Sequence, residues 1–177
     1  AAATGGDVVI TGAIPTHMEA LSAKLLEMGV YVGEDDDRIH IRSDGNLRAV
    51  NIKTQVYPGF PTDLQQPMAA LLCTANGSST ITETIFENRF RYLEELKRMG
   101  ADIRVFGRTA VVDGIDRLIA APVTATDLRA GASMIVAGLM AEGITDIYGV
   151  NYILRGYDGI DRKLRSLGAK VEMVLRG

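Results

Sequence analysis

An α/β fold built from a repeated βαβαββ unit is the fold class that the sequence predicts, and two observations carry it. Between residues 49 and 112, runs with strand and helix periodicity follow one another as strand, helix, strand, helix, strand and strand. After Gly114 the same order begins again, with Thr62-Asp63-Leu64 and Thr126-Asp127-Leu128 at the start of corresponding helices. Because each copy exposes one helix face and one sheet face, the copies are expected to pack around a shared helical core.

Apolar residues at matching positions relate three helices that each end at a glycine. They stand one, four, eight and eleven residues before Gly29 and Gly168, and Gly100 shares the first three positions but has Arg89 at the fourth. We therefore expect one partial domain over residues 1–177, with repeat units at approximately 1–46, 47–117 and 118–177. The first unit is truncated, since it lacks an opening strand and helix, so a further part of the same protein is expected on its N-terminal side.

The first unit is predicted from a strand at 7–12 and a helix that Thr16 caps and Gly29 ends. Strands at 30–33 and 38–42 flank an acidic run at 34–37. That run is most simply a solvated hairpin turn, because a cation site there would need ligands from elsewhere in the chain.

The second unit contains a loop that forbids regular structure, Tyr57-Pro58-Gly59-Phe60-Pro61. Thr62 is a good N-cap for the helix that follows, but Pro67 lies one turn inside it. A proline inside a helix costs about 3 kcal/mol, which favours a helix beginning near Pro67 and leaves Asp63 on the preceding loop. The other predicted elements are strands at 49–54, 78–85, 102–106 and 109–112, and a helix at 89–99.

The third unit repeats this order in a shorter form. Strands are predicted at 118–124, 144–150 and 170–175, and helices at 126–140 and 157–167.

Composition and motifs exclude several classes of function. With 47% hydrophobic residues, no apolar run of about 18 residues and no signal peptide, the chain is expected to be soluble and cytoplasmic. The net charge of -3 argues against a nucleic-acid surface. The single cysteine, Cys73, is expected to be buried, and His17 and His40 lack neighbours at metal-ligand spacing. No phosphate-binding or dinucleotide-binding glycine motif occurs, so we expect no metal, cofactor, nucleic acid or membrane partner.

Polar side chains that could bind a substrate cluster at the strand-to-helix junctions: Asp63, Glu87, Asn88, Arg89, Asp127, Arg129 and Arg155. The repeat would bring these junctions to one side of the molecule. Helix N-termini and guanidinium groups both favour a carboxylate or phosphate ligand. Structural alternatives stay open: each arginine could form a surface salt bridge, Glu87 could cap a helix, and Asp127 could serve either the helix dipole or a substrate.

Four strings resemble the bacterial UDP-N-acetylglucosamine 1-carboxyvinyltransferase family in order and spacing. They are YPGFPTDLQ at 57–65, ITETIFENRF at 81–90, ATDLRA at 125–130 and RGY at 155–157. The resemblance covers the whole chain and the C-terminal part of that enzyme, and it implies an inverse α/β barrel of βαβαββ units. It also implies a transferase that moves the enolpyruvyl group of phosphoenolpyruvate to the 3-hydroxyl of UDP-N-acetylglucosamine and releases phosphate, the first committed step of peptidoglycan synthesis in cell-wall biogenesis.

The resemblance further implies roles for individual residues. Asp63 would be the base at the sugar hydroxyl, Ile85 would contact the uridine, and Asp127 would help to order the pocket. Arg129 and Arg155 would hold phosphoenolpyruvate and the charges of the tetrahedral intermediate. Glu87 and Arg89 are further candidates for substrate binding.

Two departures limit the resemblance. The catalytic cysteine of the family belongs to the N-terminal domain, and Cys73 does not match its motif, so the chain alone is expected to be inactive. Residues 150–154 are largely apolar where the family often has His-Xaa-Asp. Two alternatives stay open: the sister enzyme 3-phosphoshikimate 1-carboxyvinyltransferase, and a non-catalytic ligand-binding module of the same fold.

Overall fold

The computed structural model describes residues 1–174, which form six α-helices and nine strands. In chain order they are β1 (Asp7–Thr11), α1 (Glu19–Glu27), β2 (Tyr31–Asp35), β3 (Arg38–Arg42), β4 (Ile52–Lys53), α2 (Thr62–Leu72), β5 (Ser78–Thr82), α3 (Leu93–Arg98), β6 (Asp102–Phe106), β7 (Thr109–Asp113), β8 (Val123–Thr124), α4 (Leu128–Met140), β9 (Ile147–Tyr148), α5 (Val150–Leu154) and α6 (Ile160–Ser166). The predicted α/β class is confirmed.

The strands of residues 1–174 form three sheets, with the orders β1-β3-β2, β4-β5-β7-β6 and β8-β9. Two of the sheets contain a parallel pair, in which Ile52 lies opposite Ile81 and Val123 opposite Ile147. A helix connects the strands of each pair, α2 in one case and α4 in the other. This βαβ arrangement occurs twice, as the recurrence in the sequence predicts, while the boundaries of the repeat units stay a prediction.

The core lies around α2 and α4, which pack against each other. Met68, Ala69 and Leu72 of α2 and Ala130 and Met134 of α4 are all almost completely buried. The Ser133 hydroxyl of α4 donates a hydrogen bond of 2.8 Å to the carbonyl of Gln66 in α2. The two central helices are therefore joined by apolar packing and by one buried polar contact.

The start of α2 differs from the prediction. The helix begins at Thr62, its N-cap is Pro61, and Pro67 lies inside it. Pro67 removes the one helical hydrogen bond that would reach the carbonyl of Asp63, at a cost of about 3 kcal/mol. Burial of Met68 and Leu72 offsets that cost, since each such side chain contributes about 1.5–3 kcal/mol. Asp63 consequently lies in the first turn of α2, and its predicted position on the preceding loop is wrong.

Five predicted strands are clearly shorter than expected or not formed. The strand predicted at 49–54 is reduced to the two residues of β4, and the strand predicted at 78–85 ends at Thr82. The strands predicted at 118–124 and 144–150 are reduced to β8 and β9, each of two residues, and Pro122 interrupts the first because proline cannot donate to a ladder. Residues 170–174 form no strand, and Leu175, the predicted end of that element, lies outside the described residues.

Several helix boundaries also differ from the prediction. Thr16 lies in a short 3-10 turn, Pro15–His17, and makes no cap, since the N-cap of α1 is Met18. The helix predicted from residue 89 begins at Leu93, after Asn88 adopts a left-handed conformation with φ of 54°.

Each of the last two helices begins directly after a glycine in the left-handed conformation. Val150 begins α5 rather than ending a strand, because Gly149 before it turns the chain at φ of 74°. The helix predicted at 157–167 begins at Ile160, after Gly159 with φ of 56°.

Candidate active site

Asp63, Arg89 and Arg129 form a charged cluster between the starts of α2 and α4. Asp63 lies in the first turn of α2, Arg129 is the second residue of α4, and Arg89 follows β5. Arg89 Nη2 lies 3.3 Å from Asp63 Oδ1, and Arg129 Nε donates a hydrogen bond to the same oxygen. The structure thus brings together three predicted site residues from the starts of two central helices and the segment after β5.

The electrostatics of this cluster favour an anionic ligand. The hydrogen bond that Arg129 donates to the Asp63 carboxylate raises the pKa of the Arg129 guanidinium, so this cation stays charged at any physiological pH. The cluster contains one carboxylate and two guanidinium groups, so its net charge is positive. Arg89 has only 17% of its side chain exposed, whereas Asp63 has 60%, so the carboxylate is the more accessible partner.

Asp127 occupies the N-cap of α4. Its Oδ1 accepts hydrogen bonds from the backbone N–H groups of Arg129, at 2.8 Å, and Ala130, at 3.0 Å. These contacts satisfy two donors that a helix start leaves free. Asp127 is thus the N-cap of α4 rather than the first-turn residue that the sequence suggested, and its side chain also fixes the turn from which Arg129 projects.

Arg155 follows α5 and contacts an aromatic ring. Its guanidinium lies 5.6 Å from the centroid of the Tyr152 ring, and no ion pair links it to Asp63 or Asp127 in residues 1–174. The preceding segment, where the sequence departs from the family pattern, forms α5 and buries Ile153. Addition of a Cβ at Gly131 of α4 would place it 2.4 Å from Ile153, so α5 packs directly on the central helix.

The segment after β5 carries Ile85, Phe86 and Glu87. The Arg89 guanidinium lies 4.5 Å from the centroid of the Phe86 ring, which connects this segment to Asp63 through Arg89. Ile85 is 37% exposed. Glu87 points elsewhere, since its carboxylate pairs with Arg108 at 2.9 Å and 79% of its side chain is exposed. It makes no cap on α3.

Glu83 is a buried carboxylate that the sequence reasoning did not single out. It is 1% exposed and accepts hydrogen bonds from two threonine hydroxyls and two backbone N–H groups. β5 ends at Thr82, just before Glu83, because Thr82 lies opposite Thr109, the first residue of its partner β7. One signal was available: Ser79, Ile81 and Glu83 alternate along the strand, which places all three on the same face.

Cys73 and the histidines offer no alternative site. Cys73 is fully buried, as expected, and burial raises the pKa of its thiol to about 12, which leaves it unsuited to nucleophilic attack. His40 pairs with Asp7 at 2.6 Å. Within residues 1–174, no group of three His, Cys, Asp or Glu side chains could hold a metal ion. None of the helices in that range has the length and apolar character needed to cross a membrane.

Comparison with known proteins identifies the family. A family model described as EPSP synthase (3-phosphoshikimate 1-carboxyvinyltransferase) matches residues 1–164. The chain belongs to this family. Relatives of the chain carry a more specific name, which agrees with the family that the four sequence strings indicated.

Two curated relatives are named UDP-N-acetylglucosamine 1-carboxyvinyltransferase. The chain is 59% identical over 171 residues to enzyme 3 of Caldanaerobacter subterraneus, a match that covers 97% of this chain and 41% of that protein. It is 60% identical over 171 residues to the protein of Desulfofundulus thermocisternus, a match that covers 97% of this chain and 70% of the other. The resemblance inferred from the motifs is confirmed, and the chain spans 41% of the length of the first relative.

Solved structures of the family share the fold. The enolpyruvyl transferase NikO from Streptomyces tendae matches with a TM-score of 0.84 and 28% identity, over 96% of this chain and 41% of that one. EPSP synthase from Acinetobacter baumannii matches with a TM-score of 0.73 at 20% identity, over 96% of this chain and 40% of the other, which shows the fold alone. The enolpyruvyl transferase-like fold is confirmed.

Proposed function

We propose that this chain is part of an enzyme that transfers the enolpyruvyl group of phosphoenolpyruvate to the 3-hydroxyl of UDP-N-acetylglucosamine and releases phosphate. The observation that carries the proposal is the cluster of Asp63, Arg89 and Arg129 at the starts of two central helices. A carboxylate beside two cations combines a proton acceptor with a binding site for an anionic substrate. Relatives that are 59% and 60% identical carry the name of this activity.

Asp63 is the proposed base. Both of its arginine contacts use Oδ1, and within residues 1–174 no hydrogen bond forms to Oδ2. Oδ2 can therefore accept the proton of the sugar hydroxyl. A carboxylate is a weak base toward an alcohol, so proton removal is concerted with formation of the C–O bond and depends on close positioning.

The arginines are the proposed anion-binding groups. Arg129 and Arg155 would hold phosphoenolpyruvate and the charges of the tetrahedral intermediate, and Arg89 would support Asp63. Asp127 would act through α4, whose first turn places Arg129. Ile85, with its exposed apolar side chain, is proposed to contact the uridine. Glu87 remains a predicted substrate contact, and its carboxylate would have to break its ion pair with Arg108 to bind the substrate.

The proposal includes a second part of the same protein. Residues 1–177 would be a partial barrel domain with units at approximately 1–46, 47–117 and 118–177, and an N-terminal domain would contribute the catalytic cysteine. The reaction is proposed to take place in the cytoplasm and to serve peptidoglycan synthesis.

The first test is the Asp63→Ala variant of the whole protein. We expect turnover, measured as phosphate release from both substrates, to fall by roughly two orders of magnitude or more, because loss of a positioned base costs about 10²–10⁴ in rate. The circular dichroism spectrum and Tm should stay near those of the wild type, since the carboxylate is exposed. Turnover within threefold of the wild type would remove Asp63 from the mechanism.

A second candidate acceptor is 3-phosphoshikimate, because the matching family model is described by the enzyme that uses it. The two acceptors can be compared by the thermal protection that each gives to the whole protein. A bound ligand raises Tm with its concentration, so protection by UDP-N-acetylglucosamine alone would support the main proposal. Protection by 3-phosphoshikimate alone would replace it with the sister activity, and protection by neither would favour a non-catalytic module.

A further inference from the structure

Glu83 lies at the point where three parts of the candidate site meet. Its Oε1 accepts hydrogen bonds from the Thr54 hydroxyl at 2.9 Å and from the backbone N–H groups of Ile85 at 2.8 Å and Phe86 at 3.1 Å. Its Oε2 accepts a hydrogen bond from the Thr62 hydroxyl at 2.8 Å. One carboxylate thus holds the chain after β4, the first residue of α2 and the segment after β5.

The contacts of Glu83 lead directly to the charged cluster. Thr62 precedes Asp63 in the first turn of α2. On the other side, Phe86 carries the stacked guanidinium of Arg89, which bonds Asp63. Glu83 therefore closes a loop of contacts that determines where Asp63 and Arg89 lie relative to each other.

The burial of a carboxylate at this place needs a reason. Burial alone would raise the pKa of Glu83, but its bonds from Ile85, Thr62, Phe86 and Thr54 outweigh burial and lower it. The group is therefore a buried anion held by four donors. A buried anion of this kind contributes little to the free energy of folding, since well-packed apolar residues in its place often stabilise a protein equally well. Its hydrogen bonds nevertheless fix the positions of the groups that donate them.

We propose that Glu83 is a positioning residue of the active site, which sets the first turn of α2 and the Ile85–Phe86 segment in the relative arrangement that Asp63 and Arg89 require. This inference rests on the proposed function of the same site. Glu83 is buried beneath the residues that touch substrate and acts through them. A displacement of about 1 Å in such a support is enough to cost on the order of 100-fold in rate.

Three variants of the whole protein test this role at a temperature where each is folded. Glu83→Ala releases both sides of the site, so kcat should fall at least about tenfold and KM for UDP-N-acetylglucosamine should rise. Glu83→Gln should restore kcat to within about threefold of the wild type, because the Thr62 hydroxyl can turn to accept from the new amide. Thr62→Val releases only the side of Asp63, so kcat should fall about threefold or more with KM for the sugar nucleotide unchanged.

A purely structural role predicts a different pattern. Each variant would then have a lower Tm but kcat and KM within twofold of the wild type, and that result would overturn the proposal. If Glu83→Ala does not fold, Thr62→Val decides alone, and an unchanged kcat overturns the proposal. Glu94→Gln, which alters an exposed carboxylate paired with Lys97, is the matched control and should change neither constant.

Nuclear magnetic resonance separates failure of this inference from failure of the proposed function. If the wild type shows no enolpyruvyl transfer, the proposed function fails, and the positioning role is then judged from the Arg129 Nε–H signal in Thr62→Val. We expect this signal to shift, because its acceptor is Asp63. An unchanged Arg129 signal would mean that Glu83 and Thr62 do not position Asp63, whatever reaction the protein performs.

Discussion

Asp63 shares a single oxygen between two guanidinium groups, and this arrangement has a consequence for its proposed role. A substrate anion that binds Arg129 competes with Asp63 for the same cation. On the proposed function, binding of phosphoenolpyruvate would weaken that ion pair and leave the carboxylate available to the sugar hydroxyl. The cluster thus couples anion binding to the release of the base.

Asp127 combines two roles that one pair of variants can separate. Asp127→Ala removes the cap of α4, and we expect a loss of about 1 kcal/mol in the free energy of unfolding, since caps of this kind contribute roughly 0.5–2 kcal/mol. Asp127→Asn keeps an oxygen that can accept from Arg129 and Ala130, so its unfolding free energy should stay within about 0.5 kcal/mol of the wild type. Urea unfolding followed by circular dichroism measures both values.

The turnover of Asp127→Asn then shows whether the charge itself is needed. A cap role alone predicts turnover close to that of the wild type. A substrate-ordering role predicts a clear loss of turnover with stability retained. If Asp127→Ala unfolds at the same urea concentration as the wild type, the cap does not stabilise α4 and the assignment above is wrong.

At the scale of elements, α2 shows where local sequence rules are overruled. Its proline predicts a cost to the helix, and that cost is local. Burial of Met68 and Leu72 against the rest of the molecule is the larger contribution, and it depends on partners that a single window of sequence does not contain. By contrast, the β6–β7 hairpin was predicted almost to the residue, because Gly107-Arg108 and the strand periodicity act over a few positions.

The residues of the site also divide into those that a sequence pattern predicts and those whose contacts depend on distant parts of the chain. The repeat placed Asp63 and Arg129 at equivalent helix starts, so their meeting could be predicted from the sequence. Glu83 could not be found in this way, because its hydroxyl donors Thr54 and Thr62 are 29 and 21 residues away. Arg155 was expected in the cluster but stacks over Tyr152, a contact that no local pattern indicated.

Pro67→Ala tests the cost assigned to the proline in α2. Alanine would restore the N–H that can reach the carbonyl of Asp63, and we expect a gain of about 1–2 kcal/mol, or roughly 2–8 °C in Tm. The control is Pro122→Ala in an exposed, non-helical stretch, where only the unfolded chain gains freedom and Tm should fall slightly. A lower Tm for Pro67→Ala would show that packing of the proline ring outweighs the helical hydrogen bond.

At the scale of the whole molecule, the close approach of α2 and α4 depends on small residues. Ala69 and Ala70 of α2 and Ala130 and Ala137 of α4 are completely buried. Both helices start beside the charged cluster, so their packing determines the separation of Asp63 from Arg129. The core of the fold and the geometry of the site are therefore set by the same interface.

Ala137→Leu tests this interface. Ala137 lies one helical turn after Ser133, which contacts Gln66 of α2, so a larger side chain at 137 should force the helices apart. We expect a loss of about 1–3 kcal/mol, or roughly 2–12 °C in Tm, from overpacking. Ala23→Leu, at an exposed position of α1, adds the same three carbons and should leave Tm nearly unchanged. Equal Tm values for the two variants would show that the interface has room to spare and does not set the distance between Asp63 and Arg129.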